Sequence, residues 1–390
     1  MIRVLSVIHY PFFGGPHNQV LRLNEPLLKR GFSTLAVLPD QPGNAHERLS
    51  AGGVEVVRVP LGRLRARLDW QVQRDTIAAV TGDVPRLSRL IDRKHIDLVV
   101  VHGLVNPQAA IAARLSRRPV VWQILDTRTP RVLRIVLAPL VRSLASSVMT
   151  TGHAVAEAHV GMPRRPGRLF HFFPPVDTKL FAPDEAERAA TRSALGFGPG
   201  EIVVGCVANL TPQKGLETFL SVAERISRTR SDVRFALFGS HMETQEAYAA
   251  QLLARAEPLR SGGWLVIHDV GANVSRHVRA LDVFLATAVP RSEGISTTIL
   301  EAMSSGVPVV STDVGAIHEA VEHGKTGYLV AAGADATLQR YVTTLVDDSA
   351  RRSLFGEAAR ERAVREFDVE RCADVHVRAF QAALGRPVPG

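Results

Sequence analysis

Two glutamates with seven residues between them offer the clearest chemistry in the 390-residue chain. Glu293 is followed by Gly294, Ile295, Ser296 and Thr297, and Glu301 closes the set. Gly294 permits a turn directly after the first carboxylate. Ser296 or Thr297 carries a hydroxyl that can cap a helix starting there, and the first N–H groups of that helix would suit a phosphate. Glu301 falls four residues after Thr297, on the same helical face. A carboxylate there can accept both hydroxyls of a ribose, while Glu293 can accept those of a sugar. Gly306 then stops the helix and Pro308 leads into a strand. A glutamate pair alone is common on any strand–helix unit. This one carries meaning because the glycine, the hydroxyls and the Gly-Val-Pro-Val-Val exit are in register with it.

A second segment, Val207-Ala-Asn209-Leu-Thr-Pro-Gln-Lys214-Gly215, lies between a strand and a helix. An ammonium at Lys214 can reach a leaving diphosphate and neutralise its developing charge. A third, His9-Tyr-Pro-Phe-Phe-Gly14-Gly15-Pro16-His17-Asn18, puts paired glycines between the first strand and first helix. A phosphate or acceptor can approach such a backbone closely. His17 and Asn18 would lie near the acceptor, with helix capping the other role open to Asn18. Fourth, His102 ends a buried strand, Asp126 and Arg128 follow the next, and His153 follows the one after. Three successive strand ends thus offer polar groups to one sheet edge.

The elements that must hold these residues alternate strand and helix. Ile2–Ile8, Thr34–Leu38, Val54–Val59, Asp97–Val101, Val120–Leu125 and Ser147–Thr151 read as strands, with a helix over Gln19–Arg30 that Pro26 should kink. Pro174-Pro175 breaks the rhythm and marks a domain boundary. The pattern restarts at Ile202–Ala208. A helix from Leu216 to about Thr229, Val233–Phe238, a helix from about Thr244 to Ala256 and Trp264–Val270 follow. Then come a strand at Asp282–Leu285, a helix over Thr297–Ser304, strands at Val307–Ser311 and Gly327–Val330, and helices in Ala350–Leu384. Strands this apolar imply parallel sheets covered on both faces. The expected fold class is α/β, with two doubly wound domains, 1–175 and 176–366, and a terminal segment, 367–390. The stretch Leu61–Thr81 reads as an acceptor loop without a legible code.

Composition narrows the function classes. With 46% apolar and 22% charged residues, disorder is excluded. The two cysteines, Cys206 and Cys372, have no CxxC or CxxH partner, which excludes a zinc site or a disulfide scaffold and fits a reducing, cytoplasmic setting. No uncharged apolar run reaches the ~18 residues of a membrane span, and MIRVLSVIHYPFF reads as a buried strand rather than a signal peptide. No Asp-x-Asp triple occurs, so no metal site is expected.

Charge is uneven along the chain. Residues 1–175 carry 24 basic and 11 acidic residues, whereas 176–390 carry 23 and 27. Five of the cations are lysines. Coding bias accounts for arginine over lysine, but not for the missing acids in one half. A basic half suits a phosphorylated ligand or an anionic lipid surface. Nucleic acid is a poor partner, because no recognised binding motif or aromatic stacking platform goes with the charge. Arg131–Ser146 is expected to face the core with an arginine-bearing outer side, the alternative being an interfacial amphipathic helix at the inner membrane face.

Taken together, these segments resemble the retaining glycosyltransferases of family 4, which have the GT-B fold. The likeness includes the Gly14-Gly15 loop, ALDVF, the Ser-Glu-Gly step, VPVVSTDVGAIHEAVEHGKTGYLV and the closing FDVERCADVHVRAF. It implies two Rossmann-like domains facing a central cleft and a last helix crossing back to the N-terminal domain. It further implies transfer of a sugar from a nucleotide-diphosphate donor (UDP-, GDP- or similar) to an unknown hydroxyl acceptor, without a metal or other cofactor. His102, Lys214 and Glu293 become the catalytic residues. Gly15, Asn209, Lys214, Gly294, Ile295, Ser296, Thr297 and Glu301 bind the donor, with base contacts around Gly239 and Gly271. Gly14, His17, Asn18, Asp126, Arg128 and His153 are assigned to the acceptor. One departure stands out: the family has an arginine about five residues before the lysine, where this chain has Asn209. Arg291 is the candidate substitute. Other readings on the same fold are a sugar phosphorylase, which would need inorganic phosphate, a nucleotide-sugar epimerase, which would need no acceptor, and a non-catalytic nucleotide-binding adaptor.

Overall fold

The computed structural model describes residues 1–62, 70–159, 167–239, 245–271 and 273–387, with backbone alone for 70–80. The chain forms two units. One holds Met1–Pro175 together with Val369–Gly390, and the other holds Val176–Asp368.

In the first unit, strands β1 (Ile2–Val7), β2 (Phe32–Pro39), β3 (Glu55–Val59), β4 (Leu98–His102), β5 (Val120–Ile124), β6 (Ser147–Thr151) and β7 (Leu169–Phe172) alternate with helices. The helices are α1 (Gly15–Lys29), α2 (Ala45–Ala51), α3 (Trp70–Arg93), α4 (Gln108–Leu115), α5 (Arg131–Leu144) and α6 (Gly152–Ala158). The sheet order is β3-β2-β1-β4-β5-β6-β7, and the pairings are parallel. Every residue of β4 and β5 is buried, as a sheet covered on both faces requires.

The second unit repeats the plan with β8 (Ile202–Val207), β9 (Val233–Phe238), β10 (Leu265–His268), β11 (Val283–Ala286), β12 (Val309–Thr312) and β13 (Gly327–Val330). Its helices are α7 (Glu185–Ala194), α8 (Leu216–Ser227), α9 (Glu246–Ser261), α10 (Val274–Arg279), α11 (Thr297–Ser304), α12 (Asp335–Asp347) and α13 (Ser349–Glu366). The order β10-β9-β8-β11-β12-β13 again reverses direction beside its first strand. In both sheets the chain switches direction between two central strands, β1 and β4 or β8 and β11. Doubly wound sheets bind ligands outside the carboxyl ends of the strands at such a point.

The last helix, α14 (Val369–Ala383), belongs to the first unit. Its Cys372, Ala373, Ala379 and Phe380 join Val4, Leu23, Leu98, Val121, Met149 and Phe172 in one buried cluster. The Phe380 ring meets Phe32 edge-on at 5.4 Å.

Several elements differ from the sequence expectation. Helix α1 begins at Gly15 rather than Gln19 and runs unbroken through Pro26. Strand β7 and helix α3 were not anticipated. Of the Leu61–Thr81 stretch, 63–69 lie outside the described residues, and from Trp70 the chain is helical rather than loop. Residues 240–244, where a helix start was expected, also lie outside the described residues, and α9 continues to Ser261.

Candidate functional site

In the second unit, the loops after β8 and β11 lie side by side at the switch point. After β8, Pro212–Lys214 form one tight turn, and Gly215 follows with φ +58. A Cβ at Gly215 would collide with the Thr287 carbonyl, so both the backbone angle and the space demand glycine there. Thr287 Oγ1 donates to the Lys214 carbonyl at 3.1 Å, and the Val289 N–H donates to the Gln213 carbonyl at 3.1 Å. Thus pinned, Lys214 extends its ammonium to Glu293, with Nζ 2.5 Å from Oε1. Lys214, Glu293 and Ser296 line one small cavity with Ala208 and Thr287.

Glu293 is itself held from a third loop. Gly315, with φ +64, passes so close to the Glu293 and Gly294 carbonyls that a Cβ would strike both. The Ala316 N–H donates to the Gly294 carbonyl at 2.8 Å. Helix α11 then starts with Ser296 as the flanking residue. Its hydroxyl does not cap the helix as expected. Instead it bonds the Thr298 hydroxyl at 3.0 Å. Thr297 is the first helical residue and Glu301, one turn on, is buried.

Asn209 is exposed, and so is Arg291, which sits two residues before Glu293 in the left-handed region at φ +62. Gly239 has a packing reason to be glycine, because a Cβ there would run into the Ala208 carbonyl. Gly271, at φ +51, donates its N–H to Asp269 Oδ1 at 3.0 Å.

In the first unit, His102 closes β4 and is buried. Its Nε2 hydrogen-bonds Ser6 Oγ of β1 at 2.7 Å across the switch point, while Nδ1 has no hydrogen-bond partner among the described residues. Burial, with help from the neighbouring His17, His376 and His9, lowers its pKa to about 3, so the imidazole is neutral. Asp126 and Arg128 follow β5, where the Arg128 N–H donates to Asp126 Oδ1 at 2.9 Å. His153, on α6 after β6, is exposed and lies against the His171 ring at 3.8 Å between centroids. These groups share the carboxyl edge of adjacent strands, as the sequence suggested.

His17 and Asn18 sit differently. The His17 ring is buried and spent inside its own loop. Its Nδ1 accepts from the Gly14 N–H at 3.2 Å and its Nε2 bonds the Tyr10 carbonyl at 2.9 Å. Burial first, and then Arg48, bring its pKa down to about 4. It shapes the Gly14 turn rather than facing an acceptor. Asn18 is inside the first helical turn, its N–H bonded to the Gly14 carbonyl at 2.9 Å, so it is not the cap residue. Gly14 and Gly15 themselves are not required by the chain. Gly14 is extended at φ −153, and a Cβ on either residue would meet nothing within 4 Å.

Some supporting residues were not visible in the sequence. Behind His102, Gln19 Nε2 donates to Gln123 Oε1 at 3.0 Å, and His376 Nε2 lies 2.8 Å from Gln19 Nε2 and 3.0 Å from Gln123 Nε2. His376 Nδ1 is 2.8 Å from the Cys372 carbonyl, so Nδ1 carries the proton and Nε2 accepts from both amides. Thr287 and Gly315 are equally unmarked by residue type. Both cysteines are buried and free. Among the described residues, no cluster of His, Cys, Asp or Glu could hold a metal, and no helix is long and apolar enough to cross a membrane.

Two doubly wound units with a lysine–carboxylate pair at the second switch point define a GT-B glycosyltransferase architecture. The family comparisons agree. A model described as glycosyl transferase 4-like domain matches residues 14–172, and one described as glycosyl transferases group 1 matches 201–348. Together they cover more than three quarters of the chain, which belongs to the family 4 glycosyltransferases.

Among curated relatives, the lipopolysaccharide core biosynthesis mannosyltransferase LpsB of Rhizobium meliloti is 29% identical over 54% of this chain and 59% of its own length. The chain thus spans little more than half of that relative. A GDP-mannose-dependent alpha-(1-6)-phosphatidylinositol monomannoside mannosyltransferase of Mycobacterium tuberculosis is 28% identical over 71% of this chain and 73% of its own. Of solved structures, Anabaena HepE in complex with UDP and glucose superposes with a TM-score of 0.78 at 22% identity, covering 98% of each chain. Sucrose-phosphate synthase of Thermosynechococcus elongatus gives 0.79 at 15%, covering 99% of this chain and all of the other. At these identities the structural likeness speaks to fold.

Proposed function

We propose that the chain transfers a hexosyl residue from a nucleotide-diphosphate sugar to an acceptor hydroxyl, with the anomeric configuration retained. The observation that carries this reading is the Lys214–Glu293 pair, 2.5 Å apart and fixed by the Thr287 and Gly315 loops beside the start of α11. Lys214 and the first N–H groups of α11 stabilise the departing diphosphate. Glu301 accepts the ribose hydroxyls. Glu293 orients the transferred sugar, and within the first unit the neutral His102 and the open backbone of Gly14 and Gly15 are offered to a ligand. The acceptor oxygen attacks the anomeric carbon on the face the phosphate leaves, and a phosphate oxygen takes the acceptor's proton. One C–O bond forms as the other breaks, so no protein nucleophile is needed. Positioning and charge stabilisation supply the rate.

The relatives named for GDP-mannose and the neighbour solved with UDP and glucose make GDP-mannose and UDP-glucose the first donors to test. Relatives named for lipopolysaccharide and phosphatidylinositol monomannoside, with the basic residues of 1–175, favour an acceptor borne on a lipid. The test is a thermal-shift screen against nucleotide-diphosphate sugars, followed by transfer assays and NMR of the product's anomeric proton. Failure of every nucleotide sugar to raise the melting temperature would overturn the reading, and an inverted product would overturn its stereochemistry.

A further inference from the structure

Helix α5 turns an apolar stripe to solvent. Val132, Ile135 and Val136 are 71%, 52% and 63% exposed, and Pro139 is exposed one turn further on. Their spacing puts all four on one helical face. Arg131 stands at one end of the stripe and Arg142 at the other, both exposed. The opposite face is the buried one, with Ala138 and Val141 in the interior. Arg134, expected on the outer side, folds inward and donates to the Ala158 carbonyl at 2.6 Å. The helix thus faces the core through Ala138 and Val141, and its outer side carries an apolar stripe between Arg131 and Arg142 as well as arginines. Residues 127–156 hold four arginines and no acidic residue.

Three neighbouring β-branched side chains left in water are unfavourable unless something covers them. Cations at both ends of such a stripe match a bilayer, where apolar side chains enter the acyl boundary and guanidinium groups meet anionic headgroups. A second copy fits poorly. Stripe against stripe would set arginine against arginine with no acid in 127–156 to answer them. One helical face is also far smaller than the ~800 Å² per partner of a stable protein interface.

We infer that the outer face of α5 docks the protein on an anionic phospholipid bilayer. The purpose of docking rests on the lipid-borne acceptor proposed above, but the contact itself is independent of donor chemistry.

The test is co-sedimentation of the full chain with phosphatidylcholine vesicles, with and without phosphatidylglycerol, in the absence of nucleotide sugar. Binding is expected with phosphatidylglycerol at low salt and should fall as salt rises. Arg131→Gln and Arg142→Gln should each weaken it roughly fivefold. Ile135→Asp with Val136→Asp should remove it, with the melting temperature and nucleotide affinity unchanged. Three outcomes overturn the inference: no binding at low salt, equal binding by the Ile135→Asp/Val136→Asp variant, or a lipid-free dimer that the same variant dissolves. Nucleotide affinity, measured separately by calorimetry, shows whether the donor reading stands or falls on its own.

Discussion

Lys214 Nζ lies 2.5 Å from Glu293 Oε1, although 79 positions separate the two residues. Each side chain leaves a different strand end of the second sheet, and the loops behind them are bonded to one another. The bonded loops fix where the two side chains start, and the ion pair with Glu293 fixes where the ammonium rests.

Lys214→Ala should lower kcat about 10²–10³-fold, the usual loss when one fixed charge-stabilising group is removed. The side chain is 27% exposed, so the fold should persist. Lys214→Arg should restore part of the rate. Steady-state kinetics with the donor found in the screen decide the matter. An unchanged kcat would release Lys214 from the leaving-group role.

Glu301→Gln should chiefly weaken nucleotide binding, by about ten- to a hundredfold if one charge-assisted hydrogen-bond pair is lost. A ribose contact at Glu301 would be the same in ground and transition states, so kcat at saturation should hardly move. Calorimetric titration of the nucleoside diphosphate checks this. An unaltered Kd would move the ribose elsewhere.

Glycine substitutions should divide into two groups. At Gly14 and Gly15 an added methyl meets nothing in the chain, so Ala should leave stability equal or raise it by about 0.4–1 kcal/mol while reducing turnover. At Gly215 and Gly315 the backbone is left-handed and a carbonyl stands in the way, so Ala should lower both stability and turnover. Loss of stability at Gly15→Ala would contradict this division.

Stability should depend on pH through three buried histidines of the first unit. His17 and His376 have pKa values lowered to about 4 and His102 to about 3, against 6.5 unperturbed, chiefly by burial. The unfolded chain binds protons on these rings that the folded chain refuses. Their contribution is therefore complete above about pH 6.5 and is lost as pH falls toward 4, by about 1.4 kcal/mol per pH unit for each ring. Denaturant midpoints measured across that range should show the slope, and His376→Asn should flatten it.

Chelation should leave turnover unchanged. In the proposed reaction the positive charge facing the diphosphate would come from Lys214 and the start of α11, and the steps use no other cation. A rate that collapses in EDTA and returns with a divalent ion would remove this part of the mechanism.

The sheet strands other than β7, and helix α11, were legible because their signals are local. Ile2–Ile8 and Ile202–Ala208 are unbroken apolar runs, and Ser296 to Gly306 reads as a helix between a hydroxyl and a stop. The start of α1 was not legible, because Gly-Gly-Pro-His reads as loop and the ring that closes the turn is a histidine rather than a usual capping residue. Gly315 and Thr287 act on Glu293 and Lys214 from other strands, and nothing near them in the sequence marks that. The Gln19–Gln123–His376 cluster was hidden for a related reason. Polar residues read as exposed until the partners that bury them are known. The outer face of α5 shows the limit of periodicity, which finds two sides of a helix without saying which one meets water.

Because α14 completes the first unit, the order of manufacture and the order of maturation run opposite ways. The second unit is one unbroken stretch, 176–368, and can consolidate as soon as it is synthesised. The first unit, begun earlier, must wait for Phe380 and His376 to arrive before its interior closes. A ribosome pausing before α14 has emerged would leave an unfinished opening half tethered to a finished later one.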